Sequence, residues 1–277
     1  MFQDGGVISK DTQLCISLSG RPSNLGTRFH NFLYAELGLD FVYKAFTTTD
    51  LAAAVGGIRA LGIRGAGISM PFKEAVIPLV DALEPSAAAI DSVNTIVNTD
   101  DHLVAHNTDY LAVAGLLASH GIRPAGTAAV LGSGGMAKAA LAALRDAGFG
   151  DLLVVARNDQ AGPALARAYG ARWLPELGTQ RPALLLNATP VGMAGGPAAG
   201  DLPAPREAVE AAEAVFEVVA VPEETPLVRL GRELGKRVVT GTEVAALQAA
   251  EQFVLYTGVR PGPDQVSRAG EFSRAAG

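Results

Sequence analysis

The run AVLGSGGMAKAALAAL, Ala129 to Leu144, restricts the folds open to this chain more than any other stretch. A short apolar segment, Ala128 to Leu131, meets Gly132-Ser133-Gly134-Gly135 and passes directly into an alanine-rich helical pattern. A buried strand, a tight turn and a phosphate-binding helix start are written in that order. Gly132 permits the sharp turn, and Gly134 and Gly135 let the backbone approach a pyrophosphate. The open N–H groups at Met136 and Ala137, at the positive end of the helix dipole, favour that anion. The spacing is G-x-G-G-x-A and not G-x-G-x-x-G, so the turn alone also fits a plain strand-to-helix connection. Its surroundings narrow the choice. A helix from Met136 to Ala147 is followed by a second apolar strand, Leu152 to Ala156, ending in Arg157-Asn158-Asp159, where a dinucleotide-binding unit meets the adenosine ribose.

With 277 residues the chain can bury two cores or one large one, and a formal net charge of −6 without a basic cluster argues against nucleic acid or an anionic membrane surface as partner. The one cysteine, Cys15, lies in an apolar run, so an internal disulfide is excluded and a reducing, cytoplasmic setting is expected. MFQDGGVISKD lacks an apolar core of signal-peptide length, and no segment reaches the ~20 apolar residues that span a bilayer.

Taken in order, the first half reads as strand, helix, strand, helix, strand: Thr12 to Leu18, Asn24 to Leu37, Phe41 to Phe46, a helix capped by Asp50 and running to Leu61, and Gly65 to Ser69. Such alternation implies parallel pairing with right-handed crossovers. Helices over Ala75–Leu83 and Pro85–Ile90 follow, then a hairpin of Ser92–Asn98 and Leu103–His106 across Thr99-Asp100-Asp101, and a helix from Tyr110 to His120. After the glycine-turn unit, strands are expected at Ala183–Leu186, Val215–Val219 and Arg237–Thr240, with helices near Gln160–Tyr169, Pro226–Leu234 and Glu243–Tyr256. Gly195–Pro205 reads as a loop, and the polar tail from Arg260 as a segment that frays.

Lys73 and Asp109 are the best candidates for acid–base work, each following a strand in the first half. A partly desolvated lysine loses its proton near neutral pH, and a carboxylate beside it holds it in place. The plainer alternatives are a solvated lysine and an N-cap for the helix at Tyr110. The four histidines, His30, His102, His106 and His120, lack metal-ligand spacing, and neither G-x-S-x-G nor G-x-x-x-x-G-K-[ST] is present. Trp173 reads as packing, and Glu217 and Glu243 receive no role.

Several fragments together resemble the shikimate dehydrogenase family in order and spacing: MPFKEAV around Lys73, SVNTIV around Asn94, AHNTDYLA around Asp109, LGSGGMAKAA around Gly134, NATPVGM around Asn187, and VPEETPLVRLGRELG. The resemblance spans Gly20 to Gly258. It implies an α/β enzyme with a Rossmann-type dinucleotide domain, residues 109–244, facing a smaller substrate domain across a cleft. Residues 1–108, completed by a returning C-terminal helix in 245–277, would form that substrate domain. It implies reversible hydride transfer between a ring hydroxyl of shikimate, quinate or a close analogue and a nicotinamide cofactor. Lys73 matches the catalytic lysine, Asp109 its partner, and Asn94 and Gln248 the amides that bind substrate hydroxyls. Gly132, Ser133, Gly134, Gly135, Met136, Ala137, Arg157, Asp159, Asn187, Thr189 and Pro190 fall at cofactor-binding positions. A small-molecule substrate and a monomer or homodimer are expected.

Three departures from the family pattern shape the expectations. In GRPSNLGTRFHN, Gly20 to Asn31, the two serines that hold the substrate carboxylate align with Asn24 and Gly26, leaving Asn24 and Thr27, with Ser23 and Arg28 nearby, as replacement donors. Weaker carboxylate recognition is expected. Ala220 stands at a substrate-side tyrosine. Ala156-Arg157-Asn158-Asp159 replaces the usual grip on the 2′-phosphate of NADP, and Asp159 as a ribose acceptor favours NAD, with NADP also admitted through Arg157. A metabolite-sensing protein on the same fold, without turnover, is the competing reading; retention of both Lys73 and Asp109 weighs against it.

Overall fold

The central strands of the first of two sheets alternate their side chains between two apolar layers. The computed structural model describes residues 8–88 and 90–275. The first seven residues, on which the reading of the N-terminus partly rests, lie outside that range. The chain divides into two compact units, one running to Thr108 and resuming at Ala246, the other covering Asp109–Ala245.

The first unit holds β1 (Gln13–Leu18), α1 (Asn24–Glu36), β2 (Phe41–Phe46), α2 (Leu51–Ala60), β3 (Gly65–Ile68), β4 (Ala82–Leu83), α3 (Pro85–Ala88), β5 (Thr95–Thr99) and β6 (His102–His106). Its sheet runs β2-β1-β3-β5-β6-β4. β1 pairs parallel with β2 and β3, as the alternating strand and helix pattern implies, and β5 joins β3 and β6 antiparallel. One face carries Ile16, Leu18, Ala66, Ile68 and Ile96 against Val55 and Ile58 of α2. The other carries Cys15, Tyr43 and Val97 against Phe29, Leu33 and Tyr34 of α1 and Ala250, Phe253 and Tyr256 further on. The β5–β6 hairpin closes through Asp100 and Asp101, both at positive φ (51° and 64°), the two-residue turn whose twist matches its strands.

The second unit continues with α4 (Thr108–Ser119, its first residue still in the first unit), β7 (Thr127–Leu131), α5 (Gly135–Asp146), β8 (Asp151–Val155), α6 (Ala161–Tyr169), β9 (Arg172–Leu174), β10 (Leu184–Asn187), α7 (Arg206–Ala211), β11 (Ala214–Glu217), α8 (Pro226–Glu233) and β12 (Arg237–Val239). Its sheet is parallel throughout in the order β12-β11-β10-β7-β8-β9, the doubly wound arrangement with its topological switch between β7 and β10. Strands buried on both faces read as continuous apolar runs, and Leu184, Leu185 and Leu186 do so. α9 (Gly241–Thr257) and α10 (Pro263–Arg274) complete the chain. Among the described residues no helix is long and apolar enough to cross a membrane.

Two segments differ from the sequence-based expectation. The expected helix over Ala75–Leu83 is instead a turn, a single 3-10 turn at Ile77–Leu79 and the edge strand β4. Pro78 has no N–H for a helical bond, and the Asp81 N–H pairs with Leu103 O at 3.0 Å, so the chain is drawn to the sheet edge. The tail from Arg260 does not fray through its length, because α10 packs on α1. Arg28 donates twice to Phe272 O (3.0 and 2.8 Å) and lies 4.3 Å from the Phe272 ring centroid, while Gln265 bonds Glu36 at 3.1 Å. At the start of α6 it is Asn158 whose Oδ1 accepts from Gln160 N at 3.0 Å and Ala161 N at 2.8 Å.

Candidate active site

In the first unit the candidate residues gather around the segment Ser92–Asn94 that enters β5. Val93 N donates to Lys73 O at 2.9 Å, and Ile68 N to Asn94 O at 2.7 Å, so the chain on either side of Lys73 is tied to this segment. Lys73 itself is half-buried just beyond β3, where parallel strands place their ligands. The Asn94 amide bridges the start of α4. Its Oδ1 accepts from Thr108 N at 2.8 Å, and its Nδ2 donates to Thr108 Oγ1 at 2.9 Å. Asn107 Nδ2 adds a bond to Ser92 O at 2.8 Å. Asp109 follows directly, in the first turn of α4, and is only 1% exposed. The first-turn position suits a carboxylate electrostatically.

Gln252 of α9, which sequence reasoning missed, donates to Asn94 O at 3.1 Å and Thr95 Oγ1 at 3.0 Å. Gln248 is half-buried one turn earlier, on the same helix face by its four-residue spacing. That spacing, Q-x-x-x-Q, was the available signal. Nearby, His30 is sealed among aromatic rings, stacked on Tyr43 with centroids 4.4 Å apart, and burial lowers its pKa to about 3.

The expected carboxylate donors are sorted by their surroundings. Asn24 and Ser23 are exposed, and Ser23 precedes α1 without a side-chain capping bond. Arg28 is committed to Phe272. Thr27 keeps a buried hydroxyl that finds no hydrogen-bond partner among the described residues.

In the second unit the two loops flanking the topological switch touch. Gly132 has φ +113°, and a Cβ built on it would lie 3.0 Å from Ala188 O, so only glycine lets the turn pass this close to the loop after β10. Gly134 precedes α5 with no side-chain cap, and a Cβ there meets nothing within 4 Å. The first-turn N–H groups at Gly135, Met136 and Ala137 therefore carry no capping side chain from Gly134, and Ser133 is half-buried beside them. This cradle fits a pyrophosphate. Arg157 and Asp159 stand exposed after β8.

Asn187 and Thr189 are occupied in shaping the loop itself. Asn187 Oδ1 accepts from Thr189 N (3.1 Å) and Thr189 Oγ1 (2.6 Å), and Val191 N reaches Thr189 Oγ1 at 3.2 Å across Pro190. Glu217, fully buried, accepts from Asn187 Nδ2 (2.9 Å), Val219 N (3.0 Å) and Thr225 Oγ1 (2.9 Å). Burial pushes its carboxyl up to about 7, against the pull of those donors. Glu243 takes His120 at 2.8 Å and Thr240 N and Oγ1 at 2.8 Å each, fixing the end of β12 to α4. Trp173 donates to Ala156 O at 3.1 Å and packs over Gly162, a structural place as expected.

Comparison with known proteins follows the same division. Residues 23–96 match the model of the shikimate dehydrogenase substrate binding domain. The chain is 49% identical over 268 residues to a shikimate dehydrogenase-like protein of Haemophilus influenzae, covering 97% of this chain and 99% of the relative. It is 38% identical to the shikimate dehydrogenase (NADP(+)) of Moorella thermoacetica, with 88% of each chain covered. The structure of shikimate 5-dehydrogenase from Thermus thermophilus in complex with NADP(H) and shikimate superposes with a TM-score of 0.86 at 32% identity, covering 94% of this chain and 99% of that one.

Proposed function

This chain belongs to the shikimate dehydrogenase family, and on that footing we propose that it transfers hydride reversibly between a ring hydroxyl of shikimate, quinate or a close analogue and a nicotinamide dinucleotide. The observation that carries this reading is the pair of bonds between the Asn94 amide and Thr108. They tie the segment whose Val93 N holds Lys73 O to Thr108, the residue that precedes Asp109 in the chain.

When bound, the dinucleotide supplies the hydride acceptor. Lys73 takes the proton from the substrate hydroxyl as the carbon–hydrogen bond breaks, and Asp109 orients the ammonium that results. Asn94 and Gln248 hold the neighbouring hydroxyls. Thr27 and Asn24 are the donors nearest the aligned serine positions and serve the carboxylate. The N-terminus of α5, with Gly132 to Ala137, holds the pyrophosphate, and the Asn187–Pro190 loop supports it from β10.

For the ribose end two features weigh towards NADP, against the NAD preference expected from the sequence. The last residue of β8 is Val155 and the next is Ala156, so no carboxylate stands at the strand end itself, where a ribose acceptor is placed. Arg157 follows immediately and is exposed, suited to a 2′-phosphate. Turnover by the full-length protein with shikimate and with quinate, in the presence of each dinucleotide, tests the proposal. Reduction of the nicotinamide with either acid is expected, and its absence in all four combinations sinks it. Binding of shikimate without any reduction would instead favour the sensing reading, to which the departures at Asn24 and Gly26 lend weight.

A further inference from the structure

We propose that the phenol of Tyr43 is a specificity-determining group of this site, donating to the acidic end of the substrate where the aligned serines are absent; this rests on the function proposed above. The argument begins with register. Ser17 of β1 pairs with Gly67 of β3, and Gly67 with Thr95 of β5, so the three share one sheet face in a row across adjacent strands. Tyr43 of β2 is in register with Cys15, two residues before Ser17 on that same face. Its ring runs diagonally along β1 towards the row.

Gly67 leaves a gap in the row, and two polar groups converge on it. A Cβ built at Gly67 would lie 2.8 Å from the Tyr43 hydroxyl and 3.6 Å from Gln252 Nε2. Any side chain at 67 would displace the phenol. A Cβ at Gly26, in the first turn of α1, would lie 3.8 Å from the same hydroxyl. Two glycines from different elements thus border one oxygen, and the Ser17 side chain stands beside the same gap, its Cβ 3.6 Å from a Cβ built at Gly67. Of the other tyrosines of this cluster, Tyr34 faces the Cys15 thiol, and Tyr256 has a buried hydroxyl without a hydrogen-bond partner among the described residues.

The chemistry of the neighbours defines what can be recognised. Ser17, Thr27 and Gln252 are neutral, and Arg28 is turned to Phe272. Burial holds the Tyr43 phenol well above its ordinary pKa, so it keeps its proton to donate. A phenol that keeps its proton can donate it to an acceptor such as a carboxylate. The ring is stacked on His30, so the hydroxyl is held in one place.

The test uses the full-length protein and Tyr43→Phe, which keeps the ring, its stacking and its burial. Shikimate affinity by titration calorimetry is expected to weaken roughly ten- to a hundred-fold, the range for one hydrogen bond to a charged group, with KM rising likewise and kcat within about two-fold. The methyl ester of shikimate, which lacks the anion, should lose much less. Gly67→Ala, which pushes the phenol aside while leaving it in the chain, should weaken shikimate in the same direction. Native affinity for shikimate in Tyr43→Phe overturns this proposal and leaves the proposed activity standing. Absence of both binding and turnover with shikimate and quinate in the native protein overturns the two together.

Discussion

The side-chain amide of Asn187 donates to the buried carboxylate of Glu217 at 2.9 Å, so the loop that lies against the glycine turn rests on a titratable group. Glu217 also holds Val219 N and Thr225 Oγ1 at 3.0 and 2.9 Å, joining the ends of β10 and β11 to the start of α8. Its charge state therefore matters to a whole corner of the sheet.

Because burial raises Glu217 from 4.5 to about 7, the native state binds more protons than the unfolded chain between those values. Stability from this group is complete below about 4.5 and lost as pH rises to about 7. His30 acts in the opposite sense: its native pKa near 3 lies below 6.5, so its contribution is present above 6.5 and lost on acidification. The two slopes oppose each other between pH 4.5 and 6.5. Glu217→Gln keeps an acceptor for Asn187 and removes one slope, so its denaturation midpoint should climb more steeply with pH over that interval than the native protein's. An unchanged profile counts against Glu217 as the titrating group.

Lys73→Ala should lower kcat roughly 10²- to 10⁴-fold, the range for removing a general base, with dinucleotide affinity near native. Asp109→Asn should lower kcat by less, since the amide retains shape and loses charge. Steady-state rates with saturating substrate check both. Near-normal turnover of the lysine variant removes Lys73 from the mechanism.

Gly132→Ala places a methyl 3.0 Å from Ala188 O at a φ of +113°. A cost on the order of 1–3 kcal/mol in stability follows, together with weaker dinucleotide binding as the two loops separate. Chemical denaturation and a direct titration with NADP measure the two effects. Native values of both would mean that the turn tolerates a side chain.

Much of this was legible because local chemistry and tertiary role coincide. Gly132 needs a positive φ for its own turn, and Asp100-Asp101 supply the hairpin twist, so each position signals its structure from sequence. Other features depend on partners far along the chain. α10 is polar overall and is held by Arg28 and Phe32 of α1, with Pro263 in its first turn and Gln265 accepting from Gly262 N at 2.9 Å as the local signs. β9 spans three residues and β4 two, too short for a period to register. Tyr43 gains its place only because Gly67 leaves room, which no window around residue 43 contains.

Gly26→Ser tests that same spacing from the other side. A Cβ there stands 3.7 Å from Tyr43 Cε1, ordinary contact, so the hydroxyl can be added without displacing the ring. It restores a donor at a position where the family pattern has serine. KM for shikimate should fall several-fold with kcat little changed, the signature of a gain in binding shared by ground and transition states. A rise in KM would show that this position does not face the carboxylate.

The dinucleotide choice turns on Arg157 and Asp159, two exposed residues of opposite charge flanking Asn158. Asn158 is engaged at Gln160 N and Ala161 N, so it cannot also serve the ribose through its carbonyl oxygen without weakening the start of α6. Asp159 is thereby relieved of capping, and its carboxylate can either accept from ribose hydroxyls or repel a 2′-phosphate. Arg157 can pair with that phosphate, and a charge-assisted pair of this kind contributes about 1.5–3 kcal/mol. Exposure and salt reduce both effects, but the phosphate carries the larger charge and its partner the stiffer, forked geometry. The native protein should therefore show the higher kcat/KM with NADP. Arg157→Ala should lower the NADP value roughly ten-fold or more and leave NAD within about two-fold. Asp159→Ala should raise NADP further and lower NAD. A native preference for NAD that disappears in Asp159→Ala would reverse the assignment and make the aspartate, not the arginine, the residue that selects the cofactor.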